Sequence, residues 1–381
     1  MARLFKEFFD SEKIGGLILI SVTVISIALA NSSQQLPYIE FWHTQAGGHS
    51  ITHWINDGLM ALFFLLIGLE LEREIYVGEL SSLKNASLPI FGAVGGMVVP
   101  AILFVAFNFG LETQSGAGIP MATDIAFAIG ILSLLGKHVP VSLKIFLTAL
   151  AVIDDLGAII IIAVAYSSSL SILNLLIVLV IFIVLIALNR LRIMNLIPYL
   201  AGGVLMWYFM HNSGVHATLA GVLLAFAIPF GNGNEKSPSF ILQHYLHKPV
   251  AFFILPVFAL ANTCLPVDTS SWEGLAKPYS LGIFAGLVIG KPAGIWLFSF
   301  LSAKLGLSSL SPGLKWKNIA GVGFLGGIGF TMSIFITLLA FSDQEIINIS
   351  KIAILISSLT AGVLGLILLK LSLREVYEDE E

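Results

Sequence analysis

Long apolar segments with almost no charge recur along the whole sequence. The residues Ala, Val, Ile, Leu, Met, Phe, Trp, Tyr and Cys make up 57% of the 381 positions, whereas charged residues make up only 11%. Soluble domains carry about 25% charged residues, so this chain lacks the charge that a water-exposed globular surface needs. The apolar runs are continuous rather than alternating, which excludes an outer-membrane barrel. The sequence therefore predicts an all-α polytopic membrane protein.

A helix that crosses the hydrocarbon core of a bilayer needs about 20 apolar residues. Reading the apolar runs between polar or Pro/Gly-rich breaks predicts twelve such spans. Their limits are 13–30, 56–71, 87–109, 118–136, 142–166, 170–189, 195–210, 214–230, 248–266, 279–303, 318–342 and 350–373. These spans leave no room for a sizeable soluble domain, so residues 1–381 are predicted to form a single integral membrane domain.

Lysine and arginine are distributed unequally between the two sides that this span count predicts. If the N-terminus is inside, Lys277 and Lys351 fall outside and Lys291 lies within a span. The other basic residues all fall in cytoplasmic segments: Arg3, Lys6, Lys13, Arg73, Lys84, Lys137, Lys144, Arg190, Arg192, Lys236, Lys248, Lys304, Lys315, Lys317, Lys370 and Arg374. Cytoplasmic loops collect Lys and Arg, so both termini are predicted to be cytoplasmic.

The remaining composition excludes other classes of function. The net charge is −4 and no basic stripe exists, which argues against nucleic-acid binding. Cys264 is the only cysteine, so the chain can form neither an internal disulfide nor a cysteine metal site.

Four ionisable residues lie at predicted membrane depth, where charge is costly and usually functional. Asp154 and Asp155 lie near the middle of the fifth span, roughly 17 Å from either end at 1.5 Å per residue. Lys291 is similarly central in the tenth span, and Asp124 lies in the fourth. Three acids against one base leave an excess of negative charge, which indicates a site for a cation or for protons.

The types of residue at these positions limit which cations the predicted site can bind. Carboxylates are hard oxygen ligands that suit Na⁺, Li⁺, H⁺ or divalent ions, and no His or Cys adjoins Asp154 and Asp155, which argues against a transition metal there. Neighbours on a helix diverge by about 100°, so one of these two carboxylates can meet Lys291 while the other points elsewhere. A purely structural ion pair is the alternative for Lys291.

Two spans contain features that interrupt helices. The fourth contains Pro120, Thr123 and Asp124. The eleventh has glycine at 321, 323, 326, 327 and 329. Interrupted segments in corresponding halves indicate a transporter site, and half-helices direct partial charges towards it. Asp124 could then neutralise helix N-termini and Lys291 helix C-termini. Close packing through small residues is the alternative for the eleventh span.

Six strings resemble the NhaA-type sodium/proton antiporters, and the similarity covers nearly the whole chain. The strings are WINDGLMALFFLLIGLE from Trp54, ATDIAFA from Ala122, AVIDDLGAII from Ala151, GVHATLAG from Gly214, IGKP from Ile289 and GIGFTMSIFI from Gly327. The resemblance implies inverted repeats over about 87–166 and 279–373, with broken, crossing helices in spans 4 and 11. It also implies electrogenic exchange of one cytoplasmic Na⁺ or Li⁺ for two external protons across the bacterial inner membrane. Such a protein is a secondary transporter rather than an enzyme and has no resident cofactor.

The resemblance also assigns roles at the matching positions. Asp155 becomes the principal cation ligand and Asp154 the proton-linked partner of Lys291, so both acids would hold the transported metal ion. Thr123 and Asp124 would lie where the broken helices cross. The glycines of the second break are Gly326, Gly327 and Gly329.

Two further features of the family are implied. One is regulation by pH through a cytoplasmic cluster, which corresponds here to Glu70, Arg73, Glu74, His244 and His247. Gln243 and Glu72 depart from the family, which can have Glu and Lys at these positions, and solvated helix-end charges are the alternative for the whole cluster. The other is a homodimer formed through a hairpin in the outer loop 31–55, although strand signals in this loop are weak.

Two other functions are alternatives to antiport. An intramembrane aspartyl protease also places two Asp residues in membrane helices, but its Tyr-Asp and Gly-x-Gly-Asp patterns are not found in this sequence. A sodium-coupled solute symporter of the same general fold would be recognised by Na⁺-dependent uptake of an organic solute.

Overall fold

The computed structural model of the chain describes residues 2–136, 139–167, 170–311 and 313–378. Some of the basic residues counted above lie outside this description. They are Lys137 as a whole and the side chains of Arg3, Lys6, Lys84 and Arg374.

Helices account for nearly all of the regular structure. In chain order they are α1 (Ala2–Ala30), α2 (Gln35–His43), α3 (Ile51–Tyr76), α4 (Leu83–Asn108), α5 (Ile125–Ser133), α6 (Val141–Ala165), α7 (Ile172–Arg190), α8 (Ile197–His211), α9 (Leu219–Ala227), α10 (Pro238–Asn262), α11 (Thr269–Gly274), α12 (Pro278–Lys304), α13 (Trp316–Gly326), α14 (Phe330–Ala340) and α15 (Gln344–Glu378). Two 3-10 helices occupy Glu79–Ser81 and Glu112–Met121, and π-helical turns occur within α3, α10 and α12. The short strands β1 (Gln45–Ala46) and β2 (His49–Ser50) pair antiparallel.

Eight of the described helices are long and apolar enough to cross a membrane: α1, α3, α4, α6, α7, α10, α12 and α15. Two bent pairs raise the number to 10 if each pair is one span. The predicted spans 195–210 and 214–230 overlap α8 and α9, which have only 15 and 9 residues. An all-α, multi-pass membrane protein is confirmed, whereas the count of twelve spans stays a prediction.

The contacts divide the chain into two compact units. The first comprises Met1–Ser32, Ser82–Ala158 and Thr263–Glu381. Within it, α4 and α12 cross at very short range, because a Cβ added to Gly95 or to Gly294 would collide with the backbone of the other residue. Glycine at both positions therefore sets the distance between these two helices.

The second unit comprises Ser33–Ser81 and Ile159–Asn262. Here α9 packs against α3 in the same manner, since a Cβ on Gly221 would collide with the backbone carbonyl of Ala61. Buried apolar side chains from α3, α7, α8 and α9 fill the space between these helices, with Tyr199 among the largest. The Tyr199 hydroxyl donates a hydrogen bond to the carbonyl of Ile193 at 3.0 Å, so its polar end is satisfied inside this core.

The loop 31–55, for which the sequence predicts an external position, contains the hairpin formed by β1 and β2. Gly47 and Gly48 form its turn with φ values of +62° and +91°, a region that favours glycine. The indole nitrogen of Trp54, at the start of α3, donates to the carbonyl of Ala46 at 2.7 Å. The strands have only two residues each, which explains why the sequence carries so weak a strand signal. The homodimer stays a prediction.

Candidate functional site

Two chain breaks meet in the first unit. The 3-10 helix Glu112–Met121 and α5 are bent by 42° across residues 122–124, and α13 and α14 are bent by 48° across residues 327–329. The backbone N–H of Asp124 in the first break donates to the carbonyl of Ile328 in the second at 2.7 Å. The breaks lie in the two segments where the sequence predicts interrupted spans, and they are in direct contact.

Local sequence explains why the helices stop here. Ala122 and Asp124 adopt extended backbone angles, and the Asp124 carboxylate accepts the N–H of Phe127 at 3.0 Å, which caps the start of α5. In the second break a Cβ on Gly327 would collide with the carbonyl of Leu287, and one on Gly329 would collide with the side chain of Ser333. Gly326, beside them, ends α13. Small residues are therefore required where the second break approaches α12.

Asp124 binds the first turns of two helices at once. Besides the N–H of Phe127, its carboxylate accepts the N–H of Thr331 at 3.1 Å and a short hydrogen bond from the Thr331 hydroxyl. These donors belong to the N-termini of α5 and α14, where the helix dipoles carry partial positive charge. The buried carboxylate thus neutralises both N-terminal ends.

Lys291 lies at a helix C-terminus, whereas Asp124 lies at helix N-termini. Its side chain is fully buried, and its ammonium group donates to Oδ2 of Asp154 and to the carbonyl of Met121, the last residue of the 3-10 helix. The cation therefore compensates both a carboxylate and the partial negative charge of a helix C-terminus.

Thr123 connects the first break to the ion pair. Its Oγ1 lies 2.6 Å from Oδ2 of Asp154 and 2.8 Å from the carbonyl of Gly326 at the end of α13. A hydroxyl carries one proton, so Thr123 donates to one of these oxygens at a time. It also offers its own oxygen lone pairs to a cation.

Asp155 completes the acidic group and is also buried. It is adjacent to Asp154 on α6, and its carboxylate interacts electrostatically with Lys291. Within the described part of the chain, Oδ1 of Asp154 is buried and has no hydrogen-bond partner. The site therefore combines several hard oxygen atoms with a single ammonium group, a set that suits an alkali cation or protons.

The proposed pH-sensing residues lie together in the second unit, where α3 ends and α10 begins. His247 Nδ1 lies 3.8 Å from Oε1 of Glu70. The Arg73 guanidinium lies 5.5 Å from the centre of the Phe240 ring. The His244 ring stacks on the same Phe240 ring, with centroids 6.4 Å apart.

Glu74, which belongs to this cluster, and Glu72, which lies beside it, have different partners. Glu74 accepts the backbone N–H of Glu79 at 3.0 Å. Glu72, one of the two departures from the family pattern, is buried and accepts the hydroxyl of Ser239 at 3.1 Å. His216, in one of the matching strings, lies with Nε2 2.8 Å from the carbonyl of Tyr166. Glu72 and His216 are therefore satisfied by hydrogen bonds within the second unit.

Sequence reasoning missed two groups at the site. Thr331 binds Asp124 through both its backbone and its hydroxyl, and the Met121 carbonyl accepts from Lys291. Thr331 follows the last glycine of the second break by two residues. A hydroxyl at the start of a half-helix is therefore the sequence feature that could have indicated its role at the site. A backbone carbonyl carries no signal in a sequence.

A family model agrees with the resemblance along nearly the full length. The model described as Na+/H+ antiporter 1 matches residues 6–369.

Individual proteins are similar over their whole lengths. The Na(+)/H(+) antiporter NhaA of Flavobacterium psychrophilum is 66% identical over 378 residues, covering 99% of this chain and 98% of that protein. The Na(+)/H(+) antiporter NhaA 1 of Flavobacterium johnsoniae is 64% identical over 370 residues, covering 97% of each. The NhaA of Cytophaga hutchinsonii is 58% identical over 380 residues.

A solved structure shares the fold despite low identity. The sodium proton antiporter MjNhaP1 from Methanocaldococcus jannaschii, determined at pH 8, superposes with a TM-score of 0.53 and 12% sequence identity. The match covers 96% of this chain and 95% of that one.

Proposed function

The chain belongs to the Na+/H+ antiporter 1 family, and on that premise we propose that it exchanges cytoplasmic Na⁺ or Li⁺ for external protons. The exchange is electrogenic and proceeds by alternating access in the bacterial inner membrane, with both termini in the cytoplasm. The transported Na⁺, Li⁺ and protons are substrates, and no resident cofactor is required.

The observation that carries this proposal is the Lys291–Asp154 pair beside Asp155, at the contact between two broken helices. An alkali cation that binds both carboxylates must displace the Lys291 ammonium from Asp154, because the two positive charges would compete for the same oxygen. Asp155 is the principal cation ligand, and Asp154 and Thr123 supply further oxygens. Protons and the cation therefore exclude one another at one site.

The proposed stoichiometry is two protons for each Na⁺ or Li⁺, because two groups at the site each release a proton. In the proton-loaded state, Asp155 holds one proton and the Lys291 ammonium holds another beside the Asp154 carboxylate. Both protons leave when one Na⁺ enters, so two protons exchange for one cation and one net charge moves per cycle. The membrane potential then contributes about 2.3 kcal/mol per 100 mV.

Burial of the charged residues supports the proposal of alternating access. Asp154, Asp155 and Lys291 are all nearly inaccessible to solvent, so a cation reaches them only when the surrounding helices open a path. Since cations and protons enter from opposite sides and share these oxygens, the path must open to one side at a time. Asp124 helps to hold the two breaks together by binding both half-helix N-termini.

The test uses purified protein in proteoliposomes that carry an imposed pH gradient. Addition of Na⁺ or Li⁺, but not K⁺, is expected to collapse the gradient in the wild type. Asp155→Asn is expected to abolish the response, whereas Glu112→Gln, which alters an exposed carboxylate of the same unit, is expected to retain it. Intact Na⁺-dependent proton flux in Asp155→Asn would contradict the assigned site. Na⁺-dependent uptake of an organic solute without proton exchange would favour a symporter instead.

We further propose that activity increases at alkaline pH through the cluster at the end of α3. A protonated imidazole at His247 is attracted to the Glu70 carboxylate 3.8 Å away, and this attraction is lost when the ring becomes neutral. His247→Gln is therefore expected to flatten the dependence of exchange rate on pH, while His43→Gln, at an exposed histidine outside the cluster, leaves it unchanged. Equal profiles for the wild type and His247→Gln would contradict this regulation.

A homodimer formed through the outer hairpin is also proposed. The hairpin is exposed over Gln45–His49 and offers backbone groups at its edges. Deletion of residues 45–50 is expected to shift the purified protein from dimer to monomer in light scattering, and an unchanged mass would contradict the proposal.

A further inference from the structure

Three histidines gather at one end of the second unit, away from the acidic residues that the proposed exchange uses. They come from separate elements: His49 from β2, His53 from the first turn of α3 and His211 from the end of α8. One ring nitrogen of each lies within 4.8 Å of one nitrogen of each of the others. Among the described residues this is the only group of three or more His, Cys, Asp or Glu side chains with such spacing.

A carboxylate lies directly beside two of the three rings. Oδ2 of Asp57 is 3.2 Å from Nδ1 of His211 and 3.6 Å from Nε2 of His53. It adds negative charge at the place where the imidazoles converge. A carboxylate on the second nitrogen of a metal-binding histidine also fixes the tautomer and the orientation of the ring.

From this arrangement we propose that His49, His53 and His211 bind a divalent transition-metal ion of the Zn²⁺ class. Neutral imidazole is the preferred ligand of Zn²⁺, Cu²⁺ and Ni²⁺, whereas Mg²⁺ and Ca²⁺ prefer oxygen. With a metal–nitrogen distance of about 2.1 Å, tetrahedral ligands lie about 3.4 Å apart. The three nitrogens, now within 4.8 Å of one another, therefore need to approach by at most about 1.4 Å, within the reach of side-chain rotation.

The site has a rigid side and an adjustable side. His53 and His211 are partly buried on helices, and the Trp207 ring stacks on His211 with centroids 6.0 Å apart. His49 is exposed on the short hairpin and stacks on His53 with centroids 4.3 Å apart. A bound ion would thus join the hairpin to α3 and α8, with His49 supplying most of the movement.

The alternative is that the three histidines form a purely aromatic cluster that binds no ligand. A metal site and an aromatic cluster are distinguished by whether the protein binds a metal ion. The experiment uses full-length protein in detergent, purified with a tag that contains no histidine and stripped with a chelator. Isothermal titration with ZnCl₂ is expected to show one Zn²⁺ bound per chain, with no heat for MgCl₂. His211→Ala is expected to weaken Zn²⁺ binding at least tenfold, and Asp57→Asn about tenfold.

His43→Ala provides the matched control, because His43 is an exposed histidine in the same outer loop and lies outside the cluster. It is expected to bind Zn²⁺ like the wild type. Absence of a one-to-one site in the wild type, or equal weakening by His43→Ala and His211→Ala, would overturn the proposal.

A second readout tests the same site if a variant folds poorly. Trp54 and Trp207 flank the histidines, with ring centroids 6.1 Å apart, so Cu²⁺ at the site is expected to quench part of the tryptophan fluorescence and to saturate at one equivalent. Because the imidazoles must be neutral to bind, quenching is expected to weaken at pH 5.5 relative to pH 7.5. Quenching that does not saturate, or that persists unchanged in His49→Ala, would overturn the proposal. Na⁺-dependent proton flux is expected to remain in both histidine variants, which separates this site from the transport site.

Discussion

Replacing Lys291 by methionine is expected to destabilise the protein strongly, and removing its partner as well is expected to restore much of the loss. Methionine keeps the unbranched stem that packs near Gly96 and Gly326 but lacks the ammonium group. The substitution therefore tests the charge and its hydrogen bonds rather than the volume of the side chain.

The magnitude follows from the partners of the ammonium group. Lys291 and Asp154 are essentially inaccessible to solvent, and the ammonium donates to the carboxylate and to the Met121 carbonyl. Breaking a buried pair by removing one partner costs about 3–5 kcal/mol, because an uncompensated charge remains. In Lys291→Met the Thr123 hydroxyl remains near Asp154, which places the expected loss towards the lower half of that range.

The double variant Lys291→Met/Asp154→Asn tests whether the uncompensated charge on Asp154 causes the loss of stability. It removes both charges while the asparagine still offers an oxygen to Thr123, and replacing a whole buried pair with neutral groups is often close to neutral for stability. The double variant is therefore expected to be more stable than Lys291→Met by at least about 2 kcal/mol. Asp154→Asn alone, which leaves the ammonium uncompensated, is expected to be less stable than the double variant.

The assay is reversible unfolding by sodium dodecyl sulfate in mixed micelles, followed by tryptophan fluorescence, with the free energy of unfolding extrapolated to the absence of denaturant. Two results would refute the reasoning. One is a loss below about 1 kcal/mol in Lys291→Met. The other is a double variant that is no more stable than Lys291→Met, since an uncompensated charge could then not be the cause.

Three further predictions concern other parts of the first unit. Thr331→Val removes the hydroxyl that binds the Asp124 carboxylate and is expected to lower the unfolding free energy, in the same titration, by about 1.5–3 kcal/mol. Gly95→Val places a side chain against the backbone of Gly294 and is expected to lower it by about 1–3 kcal/mol or more. Burial raises the pKa of the Cys264 thiol to about 11. Since the thiolate is the reactive form, its rate of maleimide labelling is expected to rise about tenfold per pH unit from pH 7 to 10.

The first two of these predictions have matched controls. Thr337→Val removes a buried hydroxyl that binds only a neutral carbonyl, so it is expected to cost about 1 kcal/mol. Gly58→Ala adds a Cβ whose nearest atom is 3.9 Å away, so it is expected to be tolerated. Costs as large as those of the first two variants would contradict the respective explanations. A labelling rate that levels off near pH 8.5, as for an ordinary thiol, would contradict the burial of Cys264.

Much of the architecture could be read from the sequence because lipid imposes a simple rule. A chain in the bilayer must satisfy its backbone hydrogen bonds internally, so each long apolar run becomes a helix. The α7 segment carries no charge over Ile172–Asn189 and is a helix throughout. The same rule singled out Asp124, Asp154, Asp155 and Lys291, because a charge within such a run is conspicuous without any knowledge of its surroundings.

The sequence was less informative where elements are short. The strands of the outer hairpin have two residues each, and α9 has only nine. Segments of this length contain too few side chains to establish a period, and their conformation depends on neighbours such as Trp54, which binds the hairpin through the Ala46 carbonyl.

By itself, then, the sequence determined that this is a helical membrane protein with acidic and basic groups buried in its spans, and it indicated where two helices break. The residues alone left open which of the two adjacent carboxylates meets Lys291, and the resemblance implied Asp154; the tertiary structure shows its ammonium on Asp154, 137 positions away. Only the tertiary structure decided that Thr331 and Asp124, 207 positions apart, hold the two breaks together. It likewise decided that His211 joins His49 and His53 in one cluster. Hydropathy and helical period act over one or two turns, whereas these contacts depend on the angles and distances at which whole helices pack.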